Sequence, residues 1–337
     1  MKKPLLSLVI PTYNRACFLK ETIEVVEQQF NDSFLEHIEF IIIDNDSNDN
    51  TIDLVHSISA LDRIPSIVYI KNKINIGLVA NVCKCFEVST GKWLWLLGDD
   101  DIPDAAALAT IINILNKIDE GVAYVNFSSN IYAHTSSLLM TEAPFWNYMS
   151  NGNRSSNVLF ISTGCYRRDH IMPDYRFAYQ YASTGAPHVV LVAAALRRGF
   201  KAFVSDYKLI YRKPEAAEER WSDLLITQGL VSLPEIPFTT QQFTRFSKYL
   251  VSQAAPKTKR CLRLLLLSDI PSWYLIQYFS RLRHGVCTRD MIKMLVFEAI
   301  AFMFVILPFV RLGMGKCSTM LFPKYCRITV ESGLSRT

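Results

Sequence analysis

The 337-residue chain is half apolar and one-fifth charged, a balance that fits a globular protein able to bury one large core or two moderate ones. Its net charge of +5 hides an asymmetry: residues 1–240 carry 21 Lys and Arg against 27 Asp and Glu, a balance of −6, while residues 241–337 carry 15 against 4, a balance of +11. The eight cysteines are scattered without a CxxC pair or neighbouring histidines, which excludes a zinc or disulfide framework and reads as reduced, cytosolic core residues. "MKKPLLSLVI" is too short an apolar run for a signal peptide and is followed by "PTYNR" rather than small residues, so export is not expected.

In chain order, "LLSLVI" (5–10) is a short β-branched run that predicts a strand broken by "PTYNR". Residues 16–29 place Phe18, Ile23 and Val26 at helical spacing. "IEFIIID" (38–44) predicts a second buried strand, closed by the polar cluster "NDSNDN". "TIDLVHSISAL" predicts a helix, "SIVYIK" (66–71) a third strand, "NIGLVANVCKCFEVST" a helix opened by a glycine turn, and "KWLWLLG" (92–98) a fourth strand. Continuous apolar strands alternating with helices predict a parallel α/β sheet covered on both faces. Further on, "FSSNIY", "NVLFIST" and "KAFVSDYKLIYR" read as strands, and "APHVVLVAAALRRGF" as a helix ending at Gly199. "DYRFAYQYA" (174–182) alternates four aromatics and reads as an extended segment with one aromatic face, for packing or for sugar stacking. A boundary between body and helical tail is expected near 214–240 and is drawn at 214.

Ligands of such sheets bind beyond the carboxyl ends of the strands. Pro11, Thr12, Tyr13 and Asn14 follow the first strand, Asp44, Asn45 and Asp46 the second, and Asp99, Asp100 and Asp101 the fourth. Three separated polar stretches therefore converge on one crevice. Consecutive carboxylates at a strand end repel one another and call for a cation. Hard oxygen donors of this kind suit Mg²⁺ or Mn²⁺ shared with substrate phosphates.

"LSLVIPTYNR", "IEFIIIDNDSNDNT", "NKINIGLVANV" and "WLLGDDDIP" resemble, in order and spacing, the N-terminal motifs of glycosyltransferase family 2. The resemblance is specific over residues 5–110 and loose to about 212. It implies a GT-A fold, a Rossmann-like and mostly parallel sheet flanked by helices, acting on a nucleotide-sugar donor with Mn²⁺ or Mg²⁺. By the resemblance, Pro11, Thr12 and Tyr13 line the base and ribose, and Asp44 accepts a hydrogen bond from a pyrimidine edge. Asn75 and Gly77 lie near the nucleotide. The family's Asp-x-Asp-Asp stretch begins here with Gly98, so Asp99 takes the ribose role, Asp100 the metal, and Asp101 stands by as a further metal candidate. Where inverting members carry a Glu-Asp pair, this chain has Pro187 and His188. His188 is therefore the expected general base, with Asp174 and Asp169 as fallbacks.

The expected domains are a catalytic body, 1–214, and a helical, basic and apolar tail, 215–337. "MLVFEAIAFMFVILPFV" (294–310) would reach only ~25 Å as a helix, short of the ~30 Å hydrocarbon core. An interfacial helix is expected, with "KTKRCLR" and "RLRHG" facing anionic lipid on the cytoplasmic side of the inner membrane, peripheral or monotopic. No nucleic-acid partner is expected. The resemblance extends to bacterial O-antigen transferases, including the abequosyltransferase type, and the basic, apolar tail surface would suit an acceptor glycan carried on a polyprenyl diphosphate. Two alternatives stay open: transfer to polyprenyl phosphate itself, and a catalytically silent nucleotide-sugar-binding protein at the membrane.

Overall fold

The computed structural model describes residues 3–30, 37–59, 67–150, 155–182, 185–212, 236–242 and shorter stretches beyond, among them 295–303. The four expected strands form: β1 (Leu6–Thr12), β2 (Ile38–Asp44), β3 (Ile67–Lys71) and β4 (Trp93–Leu96). They are followed by β5 (Asp101–Pro103), β6 (Val122–Ser129), β7 (Leu138–Met140), β8 (Gly164–Arg167) and β9 (Lys201–Arg212). Among the described residues they make one sheet, ordered β3-β2-β1-β4-β8-β6-β9-β5, with β7 on β9. The pairs β1–β2, β1–β4, β2–β3 and β6–β9 are parallel, whereas β8 runs antiparallel to both β4 and β6. The architecture is thus the expected mostly parallel α/β sheet.

Helices α1 (Ala16–Glu27), α2 (Thr51–Ser59) and α3 (Leu78–Val88) return the chain between the first strands. Leu19, Ile23 and Val26 of α1 are buried at i, i+4 and i+7, the stripe that a crossover helix lays on a sheet. β1, β2 and β4 are apolar on both faces, and Trp93 and Trp95 are fully buried, as a strand covered by helices on both sides requires. The helix α4 (Ala107–Lys117) buries Leu108, Ile111, Ile112 and Leu115; it was not anticipated from the sequence.

Two segments differ from expectation. "NVLFIST" is not a strand: Ser155–Leu159 is a short helix, α5, and Ile161–Thr163 a 3₁₀ turn. Inside it, the Asn157 amide donates to the Phe127 carbonyl at 2.5 Å and to Asn126 Oδ1 at 2.8 Å, contacts that draw this segment onto β6. "DYRFAYQYA" is not extended either. It forms a 3₁₀ turn, Met172–Asp174, and the helix α6, Arg176–Gln180, in which a two-residue alternation also sets i,i+4 pairs. Tyr175 meets Tyr179 with centroids 5.4 Å apart, and Phe177 meets Tyr181 at 6.2 Å. "APHVVLVAAALRRGF" is the buried helix α7 (Pro187–Arg197), and Gly199 follows it at φ +95°, the left-handed turn glycine supplies after a helix.

The chain divides into two compact units, Met1–Tyr249 and Leu250–Thr337. The expected boundary near 214 falls within 213–235, outside the described residues, as do "KTKRCLR" and "RLRHG". Of the apolar stretch 294–310, residues 295–303 are described and helical. Among the described residues no helix is long and apolar enough to cross a membrane.

Candidate active site

The parallel register sets Thr12 beside Asp44, and the Leu97 N–H donates to the Val9 carbonyl at 3.0 Å. The carboxyl ends of β1, β2 and β4 therefore open on one crevice, and the turns beyond them are laced together. Asn14, at φ 51°, donates its N–H to Ser47 Oγ at 2.8 Å and accepts the Asn48 N–H on Oδ1 at 2.7 Å. Asp49 accepts the Ala16 N–H at 2.9 Å and the Thr51 hydroxyl at 2.5 Å, so one carboxylate serves orphan donors at the starts of two helices. Burial would raise the Asp49 carboxyl, but hydrogen bonds from Thr51 and Ala16 outweigh it and hold it below the usual range.

Asp44 is fully buried at the end of β2. Tyr69 donates its phenol to Oδ2 at 2.6 Å and Ser47 its N–H to Oδ1 at 2.8 Å. Burial and then the Asp44 carboxylate push the Tyr69 phenol well above its ordinary value, which keeps it a donor. Each carboxylate oxygen retains a second lone pair, but it reaches a base edge only if the surrounding turns part. Next to it runs a ladder of amides. Asn45 donates to Asn75 Oδ1 at 2.7 Å, and Asn72 donates to Asn45 Oδ1 and Asn81 Oδ1, both at 2.9 Å. Lys84 closes the ladder on Asn72 Oδ1 at 2.5 Å. The Gly77 N–H donates to Asn75 Oδ1 at 2.8 Å, and Gly77 sits at φ 81°, a conformation natural to glycine alone.

The three aspartates separate into three environments. Asp99 is buried; it accepts the Thr12 hydroxyl at 2.9 Å and Arg15 Nη1 at 2.5 Å. Burial pushes its carboxyl up to about 6, with Arg15 opposing and the Asp100 charge adding to the rise. Asp100 accepts Arg15 Nη2 on Oδ2 at 2.7 Å, and its side chain is 21% exposed, the most open of the three. Asp101 starts β5 and turns into the fold, accepting the Ser162 hydroxyl at 2.5 Å while Ser162 Oγ in turn accepts the Gly98 N–H at 2.8 Å. A Cβ on Gly98 would lie 2.6 Å from Asp101 Oδ2. Any side chain at position 98 would therefore displace the Asp101 carboxylate as it stands here.

His188 heads α7 only 3% exposed. Its Nε2 lies 3.2 Å from the Leu159 carbonyl, Nδ1 has no hydrogen-bond partner among the described residues, and burial takes its pKa down to about 4. It hydrogen-bonds none of the aspartates, but Leu159 leads directly into the 161–163 turn whose Ser162 holds Asp101. Asp174 is paired with Arg198 at 2.8 Å and Arg197 at 3.8 Å, at the other end of the same helix. Asp169 is paired with Arg167 at 3.0 Å. The crevice therefore gathers Pro11, Thr12, Tyr13, Asp44, Asp99 and Asp100 directly, Asn75 and Gly77 through Asn45, and neither Asp174 nor Asp169. Sequence reasoning missed Arg15, Tyr69 and Ser162. For Arg15 a signal existed, since paired aspartates behind a buried strand demand a cation and "PTYNR" carries one at an adjacent strand end.

Asp99 and Asp100 are oxygen donors on one rim, and the structure already draws one cation between them. That chemistry fits a divalent ion held by Asp100 with Asp99 behind it. Among the described residues, no ready-made group of three or more ligands is assembled.

Residues 7–170 match the family described as Glycosyl transferase family 2. Abequosyltransferase RfbV of Salmonella typhimurium is 31% identical over 113 residues, which cover 34% of this chain and 33% of that one. The matches span about a third of the length of such curated relatives. Among solved structures, S. aureus TarS 1–349 in complex with UDP-GlcNAc aligns with a TM-score of 0.61 at 11% identity, covering 83% of this chain and 81% of that one. The mannosyltransferase PcManGT from Pyrobaculum calidifontis, in complex with GDP-Man and Mn²⁺, aligns with a TM-score of 0.52 at 16% identity, covering 90% and 87%. Such identities speak for the fold. Residues 7–170, just under half of the chain, thus match glycosyl transferase family 2, and the fold is of the GT-A type.

Proposed function

We propose that the chain is a glycosyltransferase that moves a sugar from a nucleoside diphosphate to a hydroxyl of a growing bacterial glycan. The observation that carries this reading is the convergence of Thr12, Asp44, Asp99 and Asp100 on one strand-end crevice, with Asp100 the most open carboxylate. Asp44 reads the base, Thr12 and Asp99 fix the ribose, and Pro11 and Tyr13 flank it. The Asn45–Asn75 bond sets the Gly77 turn against the nucleotide. A divalent ion, Mn²⁺ or Mg²⁺, held by Asp100 would offset charge on the departing diphosphate. The Mn²⁺ in the PcManGT structure is consistent with such a site.

His188 takes the proton of the acceptor hydroxyl through Nδ1, the ring nitrogen without a hydrogen-bond partner among the described residues. With a pKa of about 4 it is in its basic form at neutral pH, though a weak base, and it must become exposed when the acceptor docks. One displacement inverts the anomeric carbon. The acceptor is a glycan on a polyprenyl diphosphate, as in O-antigen assembly. The +11 balance of residues 241–337 and the exposed Leu295, Val296, Phe302 and Met303 support a peripheral station on the cytoplasmic side of the inner membrane. The burial of His188 favours a second reading, nucleotide-sugar binding without transfer. Calorimetry with UDP, CDP, GDP and dTDP, with and without Mn²⁺, is the first test. One diphosphate should bind in a manner that needs both metal and Asp100, and Asp100→Ala should abolish it. Metal-independent or absent binding sinks the transferase reading. Single-turnover transfer then separates the two readings, since His188→Ala should stop transfer and spare binding.

A further inference from the structure

Arg15 is 9% exposed, yet it reaches two carboxylates at once: Nη1 lies 2.5 Å from Asp99 Oδ1 and Nη2 2.7 Å from Asp100 Oδ2. Its backbone is fixed, because its carbonyl accepts the Leu19 N–H at 3.0 Å to begin α1. Only the side chain can move. The guanidinium lies 4.7 Å from the Phe18 ring centroid, and Nε is buried with no acceptor among the described residues. An arginine in this state is well charge-paired but incompletely hydrogen-bonded, and a buried unmade hydrogen bond is costly. A phosphate supplies what is lacking, since its oxygens match the guanidinium fork. The same fork obstructs a metal: Asp100 Oδ2 cannot serve Arg15 and a divalent ion together without setting two cations against each other.

We propose that Arg15 is a counter-cation that closes the Asp99–Asp100 pair to divalent metal until a nucleoside diphosphate draws it away, so that metal and nucleotide bind as one coupled event. This rests on the transferase reading for the identity of the nucleotide, but its test does not depend on transfer. When the diphosphate enters, the guanidinium turns from carboxylate to phosphate, Asp100 becomes free, and the crevice gains the negative charge that attracts the metal. Coupling of this kind is reciprocal: the factor by which nucleotide tightens metal equals the factor by which metal tightens nucleotide.

The test measures Mn²⁺ binding on the full chain from the resonance signal of unbound Mn²⁺, alone and with each of the four nucleoside diphosphates. Wild type should bind Mn²⁺ weakly by itself and about tenfold or more tightly with the diphosphate it accepts. Arg15→Gln should bind Mn²⁺ alone about tenfold more tightly than wild type, gain little further from nucleotide, and gain more thermal stability from the same Mn²⁺ concentration than wild type does. Asp100→Asn in the Arg15→Gln background should abolish that binding. Arg15→Lys, which keeps the charge but cannot bridge both carboxylates, should fall between, and it decides the matter if Arg15→Gln does not fold. Equal Mn²⁺ affinity in wild type and the Arg15 variants, or tight binding of Mn²⁺ alone by wild type, overturns the proposal. A protein that shows the coupling but transfers no sugar sinks only the transferase reading. One that transfers sugar with Mn²⁺ affinity indifferent to Arg15 sinks only this inference.

Discussion

Burial at the head of α7 depresses the His188 pKa to about 4 from an ordinary 6.5. Between those values the unfolded chain binds the proton and the folded chain does not, so stability is fully present above pH 6.5 and is lost as pH falls toward 4. From pH 7 to pH 5 this group alone should remove about 2 kcal/mol. His188→Leu should shrink the difference between urea midpoints at the two pH values, and an unchanged difference would mean that the ring is not buried in solution. A second residue-scale prediction concerns Gly98. Alanine there drives a Cβ to 2.6 Å from Asp101 Oδ2, so the carboxylate must leave Ser162. Gly98→Ala should cost about 1–3 kcal/mol and weaken metal-dependent nucleotide binding, both measurable on one preparation by denaturation and calorimetry.

At the scale of elements, what was legible in the sequence is what rests on burial periodicity and on local turn chemistry. β1, β2 and β4 are buried on both faces, so their continuous apolar runs could be recognised without knowing their neighbours. Gly77 and Gly199 marked their helix boundaries because no other residue adopts φ 81° and 95° at ease. "NVLFIST" was misread because a short apolar run looks alike in a strand and in a buried helix. What decides it is the Asn157 amide reaching Phe127 and Asn126, thirty residues away in sequence. The site divides in the same way. Asp44, Asp99 and Asp100 were legible as strand-end carboxylates, and their demand for a cation pointed to Arg15, whereas Tyr69 and Ser162 are joined to them only by the fold. The amide ladder is likewise a product of topology, tying the turn after β2 to the turn before α3. Asn72→Ala cuts it in the middle: Asn45 Oδ1 and Asn81 Oδ1 each lose a donor, though Asn45 keeps the Ile76 N–H, and Lys84 loses an acceptor. It should cost about 1–3 kcal/mol and lower nucleotide affinity without altering the metal dependence of binding. The same fractional loss at every Mn²⁺ concentration that supports binding is the signature to look for in calorimetry.

Over the whole molecule, the sequence separates an acidic body from a basic, apolar end, and the described part of that end carries an exposed apolar face. In the helical stretch 295–303, Val296 and Phe302 are 52% and 57% exposed, with Leu295 and Met303 beside them, while Phe297 and Ala301 are buried. Residues at 295, 296, 299, 302 and 303 recur one and two turns apart, so they form one side of the helix. An apolar stripe of that width beside a +11 balance of charge is suited to an anionic lipid surface, where apolar burial and attraction to headgroups act together. The two contributions are separable. The full chain should sediment with vesicles containing a third of anionic lipid and much less with purely zwitterionic ones. Raising salt from about 0.1 M to about 1 M, which shortens the screening length from ~10 Å to ~3 Å, should weaken the first without abolishing it. Val296→Asp with Phe302→Asp removes the apolar part and should leave only salt-sensitive binding. If the double variant sediments as wild type does at high salt, the stripe is not the membrane contact, and the salt-resistant part of the binding comes from another part of the chain.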